Sequence, residues 1–211
     1  MDLPEDIDRS RQKRIVGMIA DTHVDGPSAD PPRALVEAFA GSDLILRAGD
    51  IGSHAVIAAL GEIAPVIAVR GNKASDGVPS MGQLPRCRKL EIGGRKIVLT
   101  HGDLGRTRDH PAARWDHAPW RTLKGGLNRA GVRRVANGFV LARLAVQYQG
   151  RADCVVFGHT HIPSVSRLGP TLYVNPGDAQ YCTQSLVHIA MLHIQPGTPM
   201  RAELLTLALS Q

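Results

Sequence analysis

The sequence predicts an α/β fold of two packed mixed β-sheets with helices on the outside. Three observations predict it. Residues 14–72 follow a β-α-β-α-β rhythm whose strands are continuous apolar runs, as in parallel sheets buried on both faces. From residue 86 onward the pattern changes to a hairpin signal and alternating segments separated by Gly/Pro turns, the style of antiparallel strands. A length of 211 residues with 43% hydrophobic content suits a single domain with a real core.

Taken in order, residues 1–13 are polar, charged and aperiodic, and read as a flexible tail ahead of a single domain at 14–211. RIVGMIA (14–20) is a strand that ends at Asp21, and PPRALVEAFA (31–40) is a helix opened by proline. LILRAGD (44–50) is a second strand, HAVIAALGEI (54–63) a helix, and PVIAVRGN (65–72) a third strand. RCRKLEIGGRKIVLTHGD (86–103) reads as two strands around Gly93-Gly94. DCVVFGHTHIP (153–163) is a buried strand that ends in histidines. Segments 165–178, 185–194 and 202–209 complete the antiparallel part. Between two of these strands, residues 104–152 form a basic helical insertion, with ten Lys/Arg against two Asp and both tryptophans, Trp115 and Trp120.

Composition narrows the function classes. No apolar run reaches the roughly 18–20 residues of a membrane span, and the N-terminus lacks a secretory apolar stretch, so a soluble cytoplasmic protein is expected. Cys87, Cys154 and Cys182 are too few and too scattered for a disulfide framework, and without a C-x-x-C pair there is no zinc-finger signal. The net charge of +6 favours anionic partners, nucleotides and nucleic acid among them.

The chemistry lies at the strand ends. Four apolar strands finish in Asp21-Thr22-His23, Gly49-Asp50, Gly71-Asn72 and His101-Gly102, and a fifth in Gly158-His159-Thr160-His161. In α/β sheets, ligands collect at the carboxyl ends of strands, so residues distant in sequence can share one rim. In extended segments D-x-H and H-x-H would put both side chains on one face. Histidine nitrogens combined with carboxylate and amide oxygens suit Mn, Fe, Zn, Ni or Co better than Ca or Mg. Seven ligands exceed the three or four of a single catalytic zinc, whereas two ions sharing a carboxylate account for all seven.

This series, D-x-H, G-D, G-N, H-G and G-H-T-H, resembles the calcineurin-like metallophosphoesterase superfamily, and within it the small YfcE-like phosphodiesterases; VNPGD (174–178) resembles that group's N-P-G-S. The resemblance covers residues 14–103 and 153–209 and implies an αββα sandwich with a dinuclear centre. One divalent ion, manganese first among the candidates, would take Asp21, His23, Asp50 and His161. The second would take Asp50, Asn72, His101 and His159, with Asp50 as the bridge. A hydroxide between two such ions, about 3.5–4 Å apart, would attack a phosphate ester in line with the leaving oxygen. Asp103 or Asp178 would accept hydrogen bonds from the ligating histidines.

The pattern departs from the family in three places. Where many members carry G-N-H and the YfcE-like group G-N-C-D, this chain has Gly71-Asn72-Lys73-Ala74. Lys73 is read as a phosphate-binding charge or proton donor, with His54 as a second acid candidate. The arginine of the protein-phosphatase G-D-x-V-D-R-G motif is missing, which disfavours phosphoproteins as substrates. The basic insertion exceeds the compact pattern, and its arginines and tryptophans suit an anionic substrate or a stacked base. The leading expectation is a phosphodiesterase acting on a small ester or nucleotide. The alternatives are a phosphomonoesterase or nucleotide phosphatase, a nuclease with nucleic acid as partner, and a non-catalytic scaffold. No membrane partner is expected, and oligomeric state, native metal and ester stay open.

Overall fold

The computed structural model describes residues 13–23, 30–72, 84–103 and 129–209. The expected flexible tail up to Gln12 and the tryptophan-bearing part of the insertion at 104–128 lie outside the described residues.

The first sheet is built from β1 (Arg14–Ile19), β2 (Leu44–Ala48), β3 (Val66–Val69), β9 (Leu186–Ile194) and β10 (Arg201–Ala208), in the order β10-β9-β1-β2-β3. The second contains β4 (Cys87–Ile92), β5 (Arg95–Thr100), β6 (Cys154–Val156), β7 (Ser164–Leu168) and β8 (Thr171–Asn175), in the order β4-β5-β6-β8-β7. β1, β2 and β3 run parallel to one another, as do β5, β6 and β8. Every residue of β2, β6 and β8 is buried, as strands covered on both faces require.

The two sheets pack face to face. Val16, Met18, Leu44 and Leu46 of one meet Ile97, Leu99, Val156 and Val174 of the other in a single apolar cluster. The outer face of the first sheet is covered by α1 (Arg33–Glu37) and α2 (His54–Gly61), through Leu35, Phe39, Val56 and Leu60. α3 (Arg129–Tyr148) covers the second sheet, laying Val140, Leu144 and Tyr148 on Val98, Val155, Phe157 and Tyr173. The layers are therefore helix, sheet, sheet, helix, the αββα sandwich that the resemblance implied.

Local chemistry explains several element ends. Pro32 precedes α1, and its carbonyl accepts from Leu35 and Val36; α1 covers only five residues, with hydrogen-bonded turns continuing to Ser42. Ser53 caps α2 by accepting from the Ala55 amide at 3.2 Å. Gly93 and Gly94 both have positive φ, 57° and 71°, which gives the two-residue turn that joins β4 to β5. One expectation needs correcting: segment 165–178 is not simply antiparallel. β7 pairs antiparallel with β8, but β8 is parallel to β6 and wholly buried, so its side chains show no polar alternation. No helix among the described residues is long and apolar enough to cross a membrane.

Candidate metal centre

Six parallel strands from two sheets deliver the site. β1 leads into Asp21 and His23, β2 into Asp50, β3 into Asn72, β5 into His101, β6 into His159 and His161, and β8 into Asp178. The rims are stitched together by backbone bonds, from Asp21 N to Gly49 O, His23 N to Asp50 O and Gly158 N to His101 O.

All seven strand-end residues expected as ligands come together. His23 Nε2 and His161 Nε2 are 3.3 Å apart, with their rings stacked at an interplanar angle of 9°. Each lies 3.7 Å from Asp21 Oδ1. On the other side, Asn72 Oδ1 is 2.9 Å from His101 Nε2 and 3.1 Å from His159 Nδ1. Asp50 stands between these two sets, its Oδ2 3.7 Å from His23 Nε2 and 3.6 Å from His101 Nε2. Donor atoms of Asp21, His23 and His161 lie mutually within 4.8 Å, and so do those of Asp21, Asp50 and His101.

The donor set fits cations. His101 Nδ1–H donates to the Ala48 carbonyl at 2.8 Å, so its Nε2 lone pair faces another acceptor, Asn72 Oδ1. His161 Nδ1–H donates to Asp178 Oδ2 at 3.0 Å, which turns its Nε2 lone pair toward Asp21. Asp21 Oδ1 is buried and accepts no hydrogen bond among the described residues. Acceptors converging without protons between them are what a metal ion satisfies. Burial pushes the Asp21 carboxyl up to about 6, against the pull of His101 and His161. Burial, then the His101 charge, holds the His159 imidazole down to about 4, in its neutral ligand form. For Asp178, burial acts to raise the carboxyl, but hydrogen bonds from His161 and Gln184 outweigh it and keep it below the usual range.

The backbone at the site is unusual. Five non-glycine residues have positive φ among the described residues: Asp21 (51°), His23 (43°), Asp50 (47°), His159 (71°) and His161 (60°). All five are candidate ligands. The expected extended D-x-H and H-x-H segments are therefore corrected; their side chains converge through left-handed turns, not strand alternation. Close approach dictates Gly71, where a Cβ would overlap the Asp50 carboxylate.

Several other expectations meet the structure here. Asp178 holds a histidine, but Asp103 does not; it receives Arg86 Nη1 at 2.6 Å, and the acceptor for His101 is a backbone carbonyl. Lys73, Trp115 and Trp120 lie outside the described residues, and His54 opens α2. Three features escaped the sequence reading. Gln180 Nε2 and Gln184 Nε2 donate to Asp178 Oδ2. Asn137 of α3 accepts from Thr160 Oγ1 at 2.7 Å and from Asn175 Nδ2 at 3.2 Å, tying the helix to the histidine loop. Arg47 lies fully buried in β2, its guanidinium pushed down to about 9 by burial while Tyr181, Asp21 and Asp50 pull it up. A lone charge within an apolar run was the available signal for Arg47; the asparagine network had none.

Comparison with known proteins agrees with the fold and shows the family. A probable metallophosphoesterase of Methanothermobacter thermautotrophicus is 30% identical over 164 residues, 77% of this chain and 76% of that protein. Among solved structures, Vps29 of Entamoeba histolytica complexed with zinc superposes with a TM-score of 0.57 at 20% identity, covering 91% of this chain and 98% of that one. An archaeal phosphodiesterase gives a TM-score of 0.54 at 20% identity, covering 90% and 99%. The family model for the calcineurin-like phosphoesterase superfamily domain matches residues 15–197, and the chain belongs to that superfamily.

Proposed function

We propose that this chain is a metal-dependent phosphodiesterase that cleaves a small phosphate ester or nucleotide diester at a centre of two transition-metal ions, manganese first among the candidates. The observation that carries this reading is the place of Asp50, one carboxylate oxygen about equally far from His23 and His101, which belong to two separate donor sets. Asp21, His23, Asp50 and His161 would hold one ion, and Asp50, Asn72, His101 and His159 the other. Two bound ions supply a nucleophilic water at neutral pH and neutralise charge on the phosphoryl oxygens.

The protein's own groups prepare the site. The Ala48 carbonyl and Asp178 fix the tautomers and ring planes of His101 and His161. Neutral His159 offers its lone pair without competing protonation at pH 7. Arg86, fixed by Asp103, places a half-exposed cation near the histidine rim, and the net charge of +6 favours anionic esters generally. A diester is preferred because the similar archaeal structure is described as a phosphodiesterase; Lys73, standing where the G-N-H histidine would protonate the leaving group, favours esters with good leaving groups. The test is hydrolysis of bis-p-nitrophenyl phosphate beside p-nitrophenyl phosphate by protein stripped with chelator and reloaded with Mn²⁺. Mn-dependent turnover of the diester, with little of the monoester, is expected. Preference for the monoester would replace this reading with a phosphatase, and turnover that survives chelation would end it.

A further inference from the structure

Arg47 is a charge that this chemistry does not use. It sits on β2, paired in register with Ile19 of β1 and Ala68 of β3, and has no solvent exposure. Leu44, Leu46 and Ala48 turn into the core between the sheets, so alternation turns Arg47, with Ile45, toward the layer of α1 and α2. An apolar residue would normally occupy such a place, because burying an ion without a partner carboxylate is costly.

Its contacts show what it does there. Nη2 donates to Thr22 Oγ1 and, at 3.0 Å, to the Ile51 carbonyl. Thr22 Oγ1 in turn donates to the same Ile51 carbonyl at 2.6 Å. Thr22 lies between Asp21 and His23, and Ile51 follows Asp50. One buried nitrogen thus binds two of the three candidate-ligand loops of the first sheet, those that follow β1 and β2. Nε and Nη1 make no hydrogen bond among the described residues, so this node is where the guanidinium makes its hydrogen bonds.

We infer that Arg47 is a positioning residue that sets the spacing of the Asp21–His23 and Asp50 loops, and thereby lets Asp50 serve both ions. This rests on the two-ion reading above. The left-handed backbone at Asp21, His23 and Asp50 gives the node its leverage, since loops held in a sparsely populated conformation relax when their ties are cut.

The experiment is Mn²⁺ titration of metal-stripped protein, followed by calorimetry for stoichiometry and affinity and by electron paramagnetic resonance for coupling between ions. Wild type, Arg47→Met and Thr22→Val are compared; the last cuts the node while keeping the cation. Wild type is expected to bind two ions with an exchange-coupled spectrum. Both variants are expected to show uncoupled Mn²⁺ signals and at least tenfold weaker binding of the second ion. The double variant should be no worse than either single one, because the two residues act as one node. Wild-type coupling and affinity in folded Arg47→Met would overturn the inference. So would wild-type behaviour of Thr22→Val alongside an Arg47→Met that loses its cooperative thermal unfolding, because Arg47 would then serve the fold alone. If wild type itself binds a single ion, the two-ion reading falls and takes this inference with it; a coupled wild type beside unaffected variants sinks only the inference.

Discussion

Replacing Gly71 by alanine tests how closely the site is built around Asp50. Gly71 does not adopt positive φ, so alanine meets no backbone penalty there; the obstacle is space. The new Cβ would overlap Asp50 Oδ1 and stand 2.5 Å from Asp50 N and 2.7 Å from Asp50 Cγ. Contacts become comfortable at about 3.5 Å, so relieving the backbone-nitrogen contact alone makes the tip of β2 or β3 withdraw by roughly 1 Å. Rotating the Asp50 side chain does not solve the problem, because the backbone nitrogen is also in the way. Overpacking of this kind costs about 1–3 kcal/mol, a tolerable loss for the fold. A displacement near 1 Å at a reacting centre can cost about 100-fold in rate. We therefore expect Gly71→Ala to unfold cooperatively at somewhat lower urea, with the same dependence on denaturant. Its kcat/KM for bis-p-nitrophenyl phosphate should fall about 100-fold. Gly61→Ala is the control, since its Cβ meets nothing within 4 Å; it should be active and at least as stable. Wild-type kcat/KM and metal content in Gly71→Ala would refute the reasoning, since the Asp50 position would then not be critical.

Asp50→Ala and His101→Ala should each abolish Mn-dependent hydrolysis while circular dichroism remains that of a folded protein; a wild-type rate in either would contradict the bridging arrangement. Asp178→Asn replaces the carboxylate that accepts from His161 and should weaken Mn²⁺ binding about 10–100-fold by calorimetry. Asn137→Val leaves the buried Thr160 hydroxyl without its acceptor, while Asn175 Nδ2 keeps the Gly158 carbonyl and Thr160 Oγ1, and should lower stability by about 1–3 kcal/mol in urea melts. The pH dependence of the metal-free protein follows from two opposed groups. Asp21, raised to about 6, contributes stability below pH 3.8 that is lost as pH rises through 6, whereas His159, lowered to about 4, contributes stability above 6.5 that is lost as pH falls through 4. Each is worth about 3 kcal/mol, so between pH 6.5 and 4 they nearly cancel and the metal-free melting temperature should stay level. The increment in melting temperature produced by Mn²⁺ should vanish over the same window, because the ion must displace the Asp21 proton; calorimetric melts with and without Mn²⁺ check both.

The sequence carried the site farther than it carried the local geometry. Asp21, Asp50, Asn72, His101 and His159 were legible because each follows an apolar run, and a parallel strand must release its chain at the carboxyl edge of the sheet. What holds the ligands was less legible. The acceptor for His101 is the Ala48 carbonyl, from the opposite sheet, and a backbone group leaves no mark on composition. Asp103 looked equivalent to Asp178, yet only the packing of β4 against β5 brings Arg86 to Asp103 and removes it from the histidines. The parallel pairing of β8 was hidden because a fully buried strand and a hairpin partner both read as apolar runs between turns.

The left-handed backbone at five candidate ligands explains how the residues of the motif can converge. A chain leaving a parallel sheet has to turn within one or two residues if its next side chain is to face the neighbouring strand end. Left-handed backbone makes that turn, and a non-glycine residue there costs of the order of 1 kcal/mol or more. Asp21, His23, Asp50, His159 and His161 all accept that cost, although glycine would avoid it. Glycine, however, has no donor atom. The strain is held in place by bonds that cross between loops: His159 N to Asp21 Oδ2 at 2.8 Å, His23 N to Asp50 O at 3.2 Å, and the Arg47 node beneath them. In the first of these, the Asp21 carboxylate uses one oxygen to fix the backbone of the opposite sheet and leaves the other facing His23 and His161. The two sheets are thus joined at the site by the same side chains that would bind the ions, so binding of such ions would be coupled to the relative position of the sheets.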